Sequence, residues 1–205
     1  MASGRRLADE TARRKEAALA GHRGDEAAIR PFLHDVDPAV RATALRGLAR
    51  TDALLVSDLT KSATDREGSV RRTVAELIGR RADPDLDNTL LGLLDDIGAD
   101  VIETAAFAAG ERERPTEPIV DRLMALAGHH DDALVREAAV AALGAIGDPR
   151  GLPVILQATT DRATVRRRAV LALAPFDGDV VDAALQRALD DRDWQVRQAA
   201  EDLLA

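Results

Sequence analysis

The chain has 205 residues, of which 46% are apolar and 31% charged, and its net charge at pH 7 is −8. This length suffices for one domain with a sizeable core, and no apolar run approaches the ~18 residues of a membrane-spanning helix. The absence of cysteine excludes disulfides, thiolate metal sites and cysteine nucleophiles. The first ten residues lack the apolar run of a secretory signal, so we expect a cytoplasmic protein. Arginine outnumbers lysine by 26 to 2, which suggests a bacterial source.

A short phrase recurs along the chain: Val-Arg followed by an alanine-rich apolar run. One copy has Ile102 in place of the arginine. Successive valines are 30, 31, 34, 30 and 31 residues apart. Such a period indicates stacked supersecondary units, each too small to bury its apolar face alone. The repeated valines are Val40, Val70, Val101, Val135, Val165 and Val196.

Each unit is predicted to contain a shorter A helix and a longer B helix that carries the Val-Arg phrase. After Val135, apolar residues recur at the i+3, i+4 and i+7 positions of one helical face. Asp148-Pro149 is typical of a helix start. Taken along the chain, a first helix is predicted at about 6–20. The A helices follow at 25–34, 53–62, 84–94, 118–127, 149–159 and 179–189, and the B helices at 38–50, 68–80, 99–111, 133–146, 163–174 and 193–204.

The pattern Asp-x-x-x-(x)-Val-Arg-x-x-Ala-x-x-x-Leu, with a period of about 31 residues, resembles the HEAT-like repeats also called phycobilisome-lyase-type HEAT repeats. The segment from Asp191 to Arg197 is very close to the family phrase. The resemblance implies an all-α fold: a right-handed α-α superhelix of the armadillo-like type, with about six two-helix repeats and an N-terminal capping helix. It leaves function open, because such repeats serve as protein-binding scaffolds, as parts of chromophore lyases, as a di-iron hydroxylase and as a DNA glycosylase.

The expected organisation is a single HEAT-like repeat domain over residues 1–205. Residues 1–20 form the capping helix, in which Ala12-Arg13 lies 28 residues before Val40-Arg41 and marks a degenerate half-repeat. The repeats are expected at approximately 21–50, 51–82, 83–114, 115–147, 148–178 and 179–205.

The arginines of the Val-Arg phrase suit either a basic stripe for a ligand or a structural role. An aspartate lies five or six residues before most of them, and in the resembling family such residues form a ladder of Asp–Arg pairs between neighbouring repeats. A guanidinium suits that role because its donors lie in one plane. We therefore expect a structural ladder that is interrupted at Ile102. Its members are Asp35 and Arg41, Asp65 and Arg71, Asp131 and Arg136, Asp161 and Arg166, and Asp191 and Arg197.

A second group of arginines lies on the B-helix face opposite the predicted core. Residues 1–82 carry a net charge of +4 and residues 83–205 one of −12, so this group lies in the basic part of the chain. It is a candidate patch for nucleic-acid phosphate or an acidic protein, or else an ordinary solvated face. Its members are Arg46, Arg50, Arg72 and Arg80.

The position six residues after each repeated valine is expected to be exposed, on the concave side that the B helices line. It is charged in the terminal repeats and apolar in the central ones. Apolar surface ringed by charge indicates a partner site; the alternative is that the groove buries Phe107 and Leu171. The predicted partner-binding residues are Phe107, Ala141, Ala145 and Leu171, with Pro175 beside them and with Glu103, Glu111, Glu137 and Arg167 at the rim.

The C-terminal helix offers two further candidates. Trp194, the only tryptophan, is either an interface anchor or a packing residue, as in the resembling family. The chain ends at Leu203-Leu204-Ala205 without a polar capping repeat. Because terminal repeats usually need a polar outer face, this end is a candidate surface for a homodimer.

The sequence predicts no catalytic residues, no metal site and no cofactor. None of the four histidines is followed by glutamate, as a di-iron site of the resembling kind requires. The only cluster of ligand-type residues, His129-His130-Asp131-Asp132, is one short stretch without distant partners. No nucleotide-binding motif occurs. The 2% aromatic content departs from the DNA glycosylases of this fold.

The sequence therefore favours a noncatalytic protein–protein interaction scaffold that binds a partner on its concave B-helix face. Two alternatives stay open. One is a substrate-platform subunit of a lyase or other enzyme. The other is nucleic-acid binding through the basic N-terminal repeats, which the lack of aromatic residues for base stacking disfavours. We expect no membrane partner.

Overall fold

The computed structural model describes residues 2–81 and 83–205, with side chains from residue 9 onward. All regular structure in this part of the chain is helical, and it contains no strand. The chain divides into two compact units, Met1–Thr89 (unit 1) and Leu90–Ala205 (unit 2). The single continuous domain predicted from the sequence stays a prediction.

The predicted absence of a secretory signal also stays a prediction, because it concerns the first ten residues, and the side chains of residues 1–8 lie outside the described part.

Unit 1 consists of a long first helix followed by alternating short and long helices. Short 3₁₀ turns extend the second helix and precede the sixth. The sixth helix, α6 (Asp87–Leu94), contains the point at which the two units divide. The helices of unit 1 are α1 (Ala2–Arg23), α2 (Glu26–Ile29), α3 (Pro38–Arg50), α4 (Val56–Ser62) and α5 (Gly68–Ile78).

Unit 2 continues the same alternation. A helices and B helices again take turns along the chain, and a 3₁₀ turn at Pro149–Gly151 leads into the shortest of them. The segments predicted to be helical from the 31-residue pattern are helical, with ends that shift by a few residues. The helices of unit 2 are α7 (Ala99–Gly110), α8 (Glu117–His129), α9 (Ala133–Ile146), α10 (Leu152–Ala158), α11 (Ala163–Ala172), α12 (Asp179–Ala188) and α13 (Trp194–Leu204).

Local signals explain where the B helices begin and end. An aspartate side chain caps α9, where Asp132 accepts the backbone N–H of Leu134 at 2.9 Å, and satisfies a donor that the first turn leaves free. Asp37 and Asp193 cap α3 and α13 in the same way. At the other end of α9, Gly147 adopts a φ of 68°, a left-handed conformation that terminates helices and suits glycine.

The repeated valines form the core. All six are at most 1% exposed, and the residues four positions later, alanine in five repeats and valine in one, are fully buried. Small residues allow helices to pack closely. Within unit 1, α1 packs on α3 and α3 on α5; within unit 2, α7, α9, α11 and α13 pack in succession. This arrangement confirms an all-α repeat solenoid, and its predicted right-handedness stays a prediction.

The B helices bury one face, so their opposite face remains available to solvent. Their buried positions recur at the valine, at four residues after it and, in five of the six copies, at five residues after it, whereas Arg46, Phe107 and Asp202 lie six residues after it and are exposed. No helix in the described part of the chain has the length and apolarity needed to cross a membrane. The exposed B-helix faces are therefore the surfaces that a ligand or partner can reach.

Candidate functional site

Three ladder arginines, Arg41, Arg136 and Arg166, each bridge two successive repeats. In unit 2, Arg166 donates from Nε and Nη2 to the two carboxylate oxygens of Asp191, at 2.8 and 2.7 Å. Its Nη1 donates to the backbone carbonyl of Asp161 at 2.9 Å. Arg136 binds Asp161 in the same manner, at 2.7 and 2.8 Å. In unit 1, Arg41 binds Asp65 at 2.7 and 2.6 Å. The aspartate that each arginine binds thus belongs to the following repeat.

The Asp–Arg pairs lower the pKa of their aspartates, and two of their arginines are buried away from any ligand. Hydrogen bonds from Arg136 and Arg166 lower the pKa of Asp161 and Asp191 below the usual aspartate value, although burial opposes the shift. Arg41 and Arg166 are only 8% and 6% exposed. Their guanidinium donors are already engaged, so a role in binding anions is disfavoured.

The ladder position of the fourth repeat is His130, which corrects the sequence-based choice of Asp131. The Asp131 side chain is exposed, whereas the His130 side chain accepts the backbone N–H of Asp132, as that of Asp35 accepts the N–H of Asp37. Nη1 of Arg136 donates to the carbonyls of both His130 and Asp131, at 2.7 and 3.0 Å. The preceding repeat lacks the arginine, because Ile102 is there and is buried. This junction has therefore lost both members of the pair.

Two further ladder arginines make the same contact with the backbone of their own repeat. Arg71 and Arg197 donate from Nη1 to the backbone carbonyls of Asp65 and Asp191, both at 2.7 Å. Sequence reasoning left out a member at the other end. Arg13 donates from Nε to Asp35 at 2.8 Å. Its position 28 residues before Arg41 was the signal that could have identified it.

A groove of about 460 Å³ lies on the B-helix face of unit 2, between α7 and α9. We call it the Phe107 groove. Its floor is formed by small residues because α7 and α9 approach closely: a Cβ added to Gly110 would lie 3.0 Å from the Cα of Ala142. The lining residues that bear on binding are Phe107, Leu134, Ala138, Ala141, Ala145, Glu103, Glu111, Glu137 and Arg168.

Large apolar side chains stand beside this floor. Phe107 is 68% exposed and Leu134 is 56% exposed. Isolated exposed apolar residues are common on protein surfaces, but two that line one groove over an alanine floor make a continuous apolar surface. The alternative that the groove buries Phe107 is therefore wrong, and Leu171 is half-buried.

Carboxylates flank Phe107 along its own helix. Glu103 lies four residues before Phe107 on α7, and Glu111, the C-cap of that helix, lies four residues after it. Both are exposed. Within the described part of the chain, neither of these two carboxylates forms an ion pair or a side-chain hydrogen bond. The third carboxylate, Glu137, lies 3.6 Å from Nη2 of Arg168. The groove is therefore apolar at its centre and acidic along one wall.

The structure divides the residues that the sequence grouped into one patch. Phe107, Ala141, Ala145, Glu103 and Glu137 line the Phe107 groove together. Arg167 and Leu171 instead line a separate, smaller groove with Trp194. At the Phe107 groove the basic residue is Arg168, which sequence reasoning missed because one residue along a helix rotates a side chain by about 100°.

The predicted basic patch in unit 1 is partly neutralised by its own contacts. Arg46 forms an ion pair with Glu76 at 2.8 Å, and Arg72 lies 3.8 Å from the same carboxylate. Arg50 donates to the backbone carbonyl of Gly21 at 3.4 Å. Three of the four patch residues line a groove of about 530 Å³ that also contains Asp52 and Glu76; they are Arg46, Arg50 and Arg80.

The remaining candidates are the histidine cluster at residues 129–132 and the C-terminal helix. His130 accepts the backbone N–H of Asp132 through Nδ1 at 3.1 Å, so its imidazole caps the turn before α9. Among the described residues, no group of three or more potential ligands could hold a metal ion. Trp194 is 65% exposed and Leu204 is 40% exposed. The homodimer through α13 stays a prediction.

Comparison with known proteins places these features in a family. A family model of HEAT repeats matches residues 26–110, 99–174 and 120–205. A search of the curated proteins finds no match. The solved structures include the Escherichia coli protein YibA, which is 23% identical with a TM-score of 0.71, covering 91% of this chain and 69% of that one.

Two engineered proteins are also similar. One, solved by the Northeast Structural Genomics Consortium, is 23% identical with a TM-score of 0.64 and covers 88% of this chain and 95% of its own. The other is a designed armadillo repeat protein in complex with a (KR)4 peptide. It is 17% identical with a TM-score of 0.63, and the match covers 86% of this chain and 96% of that one. At these identities the likeness supports the fold alone.

Proposed function

Since the chain belongs to the HEAT repeat family, we propose that it is a noncatalytic scaffold that binds another protein through the Phe107 groove of unit 2. HEAT and armadillo repeat folds commonly serve as interaction scaffolds, because their stacked helices present extended surfaces. The observation that carries the proposal is the 68% exposure of Phe107 in a groove of about 460 Å³. Exposed aromatic side chains in a concave surface are typical anchors of protein interfaces.

The shape of the groove supports a peptide-like occupant. Its floor of alanines, including Ala138, Ala141 and Ala145, leaves room for side chains of a partner, while Phe107 and Leu134 provide apolar contact. Burying these two side chains against a partner would remove water from their apolar surface, the main favourable contribution to association. The (KR)4 peptide bound by the designed armadillo repeat protein supports an occupant of this kind.

The contacts of unit 1 favour unit 2 as the binding unit. A nucleic-acid site needs several arginines available to phosphates, but Arg46 and Arg72 both lie against Glu76. The lack of aromatic side chains on that face gives no platform for bases. We therefore assign the partner-binding role to the Phe107 groove.

Selection from a displayed random-peptide library tests the proposal. The wild-type protein, a Phe107→Asp variant and a Val180→Asp control are immobilised in parallel. Val180 is 57% exposed in the first turn of α12, so this control introduces the same charge on exposed apolar surface away from the groove. We expect peptides that bind wild type and Val180→Asp, and that bind Phe107→Asp at least tenfold more weakly, with circular dichroism unchanged. Peptides that bind all three proteins equally, or no enrichment, would contradict the proposal.

A further inference from the structure

We propose that the segment occupying the Phe107 groove carries two cationic side chains, one on each side of an apolar side chain that sits against Phe107. This inference rests on the proposed function, because it names the chemistry of the partner for the same groove. It derives from the two flanking carboxylates, from their spacing along α7, and from the charge of unit 2.

Two glutamates of the Phe107 groove carry charges that no cation of the described chain neutralises. Glu103 and Glu111 are exposed and, within the described part of the chain, form no ion pair. The third glutamate of the groove already has Arg168 within 3.6 Å, so that arginine is engaged. A partner that brings carboxylates would meet repulsion on this wall, whereas one that brings arginine or lysine would complete two ion pairs.

An exposed aromatic ring lies between these two glutamates. Phe107 lies midway between them along the chain and is 68% exposed. An apolar side chain placed here packs against the ring and the alanine floor. The cationic side chains on either side also benefit from the aromatic ring, because a cation near its face is attracted by the ring quadrupole.

The spacing of the two glutamates sets the spacing of the partner's cationic residues. Glu111 lies eight positions after Glu103, which corresponds to roughly 12 Å along the helix axis. An extended segment advances about 3.3 Å per residue and points alternate side chains to the same side. Cationic residues at positions i and i+4 with an apolar residue at i+2 therefore match the two glutamates and Phe107 in order.

The charge of unit 2 favours the same partner at longer range. Residues 90–205 contain 12 arginines and 21 acidic residues, a net charge of −9. Such a field raises the encounter rate with cationic segments, and it is screened as salt is added. Binding of the basic segment should therefore weaken as the ionic strength rises, while the apolar contact with Phe107 persists.

Three labelled peptides test the inference. They are Gly-Ser-Arg-Ser-Leu-Ser-Arg-Ser-Gly, the same peptide with both arginines replaced by glutamate, and the same peptide with both replaced by glutamine. Each is titrated to millimolar concentration against the whole protein, with fluorescence anisotropy as the readout. Two exposed ion pairs are expected to make the arginine peptide bind about tenfold more tightly than the glutamine peptide.

Two double variants locate the effect. Glu103→Gln/Glu111→Gln should remove the preference for the arginine peptide while leaving the glutamine peptide unaffected. Asp190→Asn/Glu201→Gln is the matched control, since both residues are exposed in unit 2, lie outside the groove and change the net charge equally. The control should retain the preference.

The outcomes separate this inference from the proposed function. Equal or tighter binding of the glutamine or glutamate peptide, lost in Phe107→Asp, overturns the cationic motif and leaves the groove as a binding site. A preference that survives Glu103→Gln/Glu111→Gln also overturns it. If none of the three peptides binds, the motif is wrong, and the library selection decides the proposed function independently.

Discussion

The same position of the repeat, six residues after the buried valine, carries different chemistry in the two units. In unit 1 it holds Arg46 and Glu76, whose side chains pair with each other at 2.8 Å. In unit 2 it holds Phe107, Ala141, Leu171 and, in the last repeat, Asp202, and Phe107 remains 68% exposed. The difference shows that burial fixes only one face of a B helix. The side chains of the opposite face can form ion pairs with one another, as in unit 1, or remain exposed and available to a partner, as in unit 2.

Both units contain bidentate Asp–Arg pairs. We expect the loss of one such pair to have the largest effect on stability. Replacing Asp191 with alanine leaves Arg166, which is 6% exposed, without its carboxylate partner. Removing one member of a buried pair leaves an uncompensated charge. We expect the free energy of unfolding to fall by about 3 kcal/mol, measured by urea denaturation. Asp131→Ala, at the exposed aspartate outside the ladder, is the control and should change it by less than about 0.5 kcal/mol. Similar losses in both variants would contradict the assignment.

In unit 2, the junction between the third and fourth repeats lacks an Asp–Arg pair, and two substitutions can introduce one. Ile102→Arg alone should destabilise the protein, because it places a guanidinium at a buried position with no carboxylate opposite. Adding His130→Asp supplies that carboxylate at the ladder position. A double-mutant cycle should then show a favourable coupling of about 2 kcal/mol between the two substitutions. Strictly additive effects would mean that the junction does not follow the geometry of the Arg166–Asp191 pair.

The paired aspartates also predict a pH dependence. Because hydrogen bonds from Arg166 and Arg136 lower the pKa of Asp191 and Asp161 in the folded protein, their contribution is complete above the usual aspartate pKa of 3.8. It is lost as the pH falls through the lowered values. Urea unfolding at pH 7, 5, 4 and 3 should show little change down to pH 5 and a decline below pH 4. Asp191→Asn should decline less over that range, and an equal decline in both proteins would contradict this account.

The two exposed faces should contribute least to stability. Glu76→Gln breaks an exposed pair with Arg46, which is worth less than about 1 kcal/mol. Phe107→Asp changes a side chain that already faces water, so its effect should be within about 0.5 kcal/mol. Thermal denaturation with circular dichroism measures both. A large loss for Phe107→Asp would mean that Phe107 acts in packing and that the contrast between the units is wrong.

The sequence predicted the helices well, and for a physical reason. A period of about 31 residues with apolar positions at i, i+3 and i+4 specifies which face of each helix is buried, and the six valines are indeed buried. Pro153 lies in the first turn of α10, as its missing N–H requires. These features depend on local sequence and on burial, which the pattern encodes directly.

The site was less predictable because it depends on single-residue rotation around a helix. Choosing Arg167 in place of Arg168 misplaces the guanidinium by about 100°, and it moves from one groove to another. Leu134 was not anticipated, since it lies one residue before the repeated valine at the start of α9. The choice of Asp131 over His130 rested on residue type, whereas three of the other ladder aspartates, Asp35, Asp65 and Asp191, lie six residues before the arginine of their own repeat.

Nuclear magnetic resonance mapping of a library-selected peptide tests whether a partner occupies the Phe107 groove. Backbone and methyl resonances of the whole protein are followed during titration with that peptide. We expect shifts confined to α7 and α9 of unit 2, including Phe107 and Leu134, with α3 and α5 of unit 1 unchanged. Shifts centred on Arg46 and Arg80 in unit 1, with α7 and α9 unaffected, would contradict this assignment.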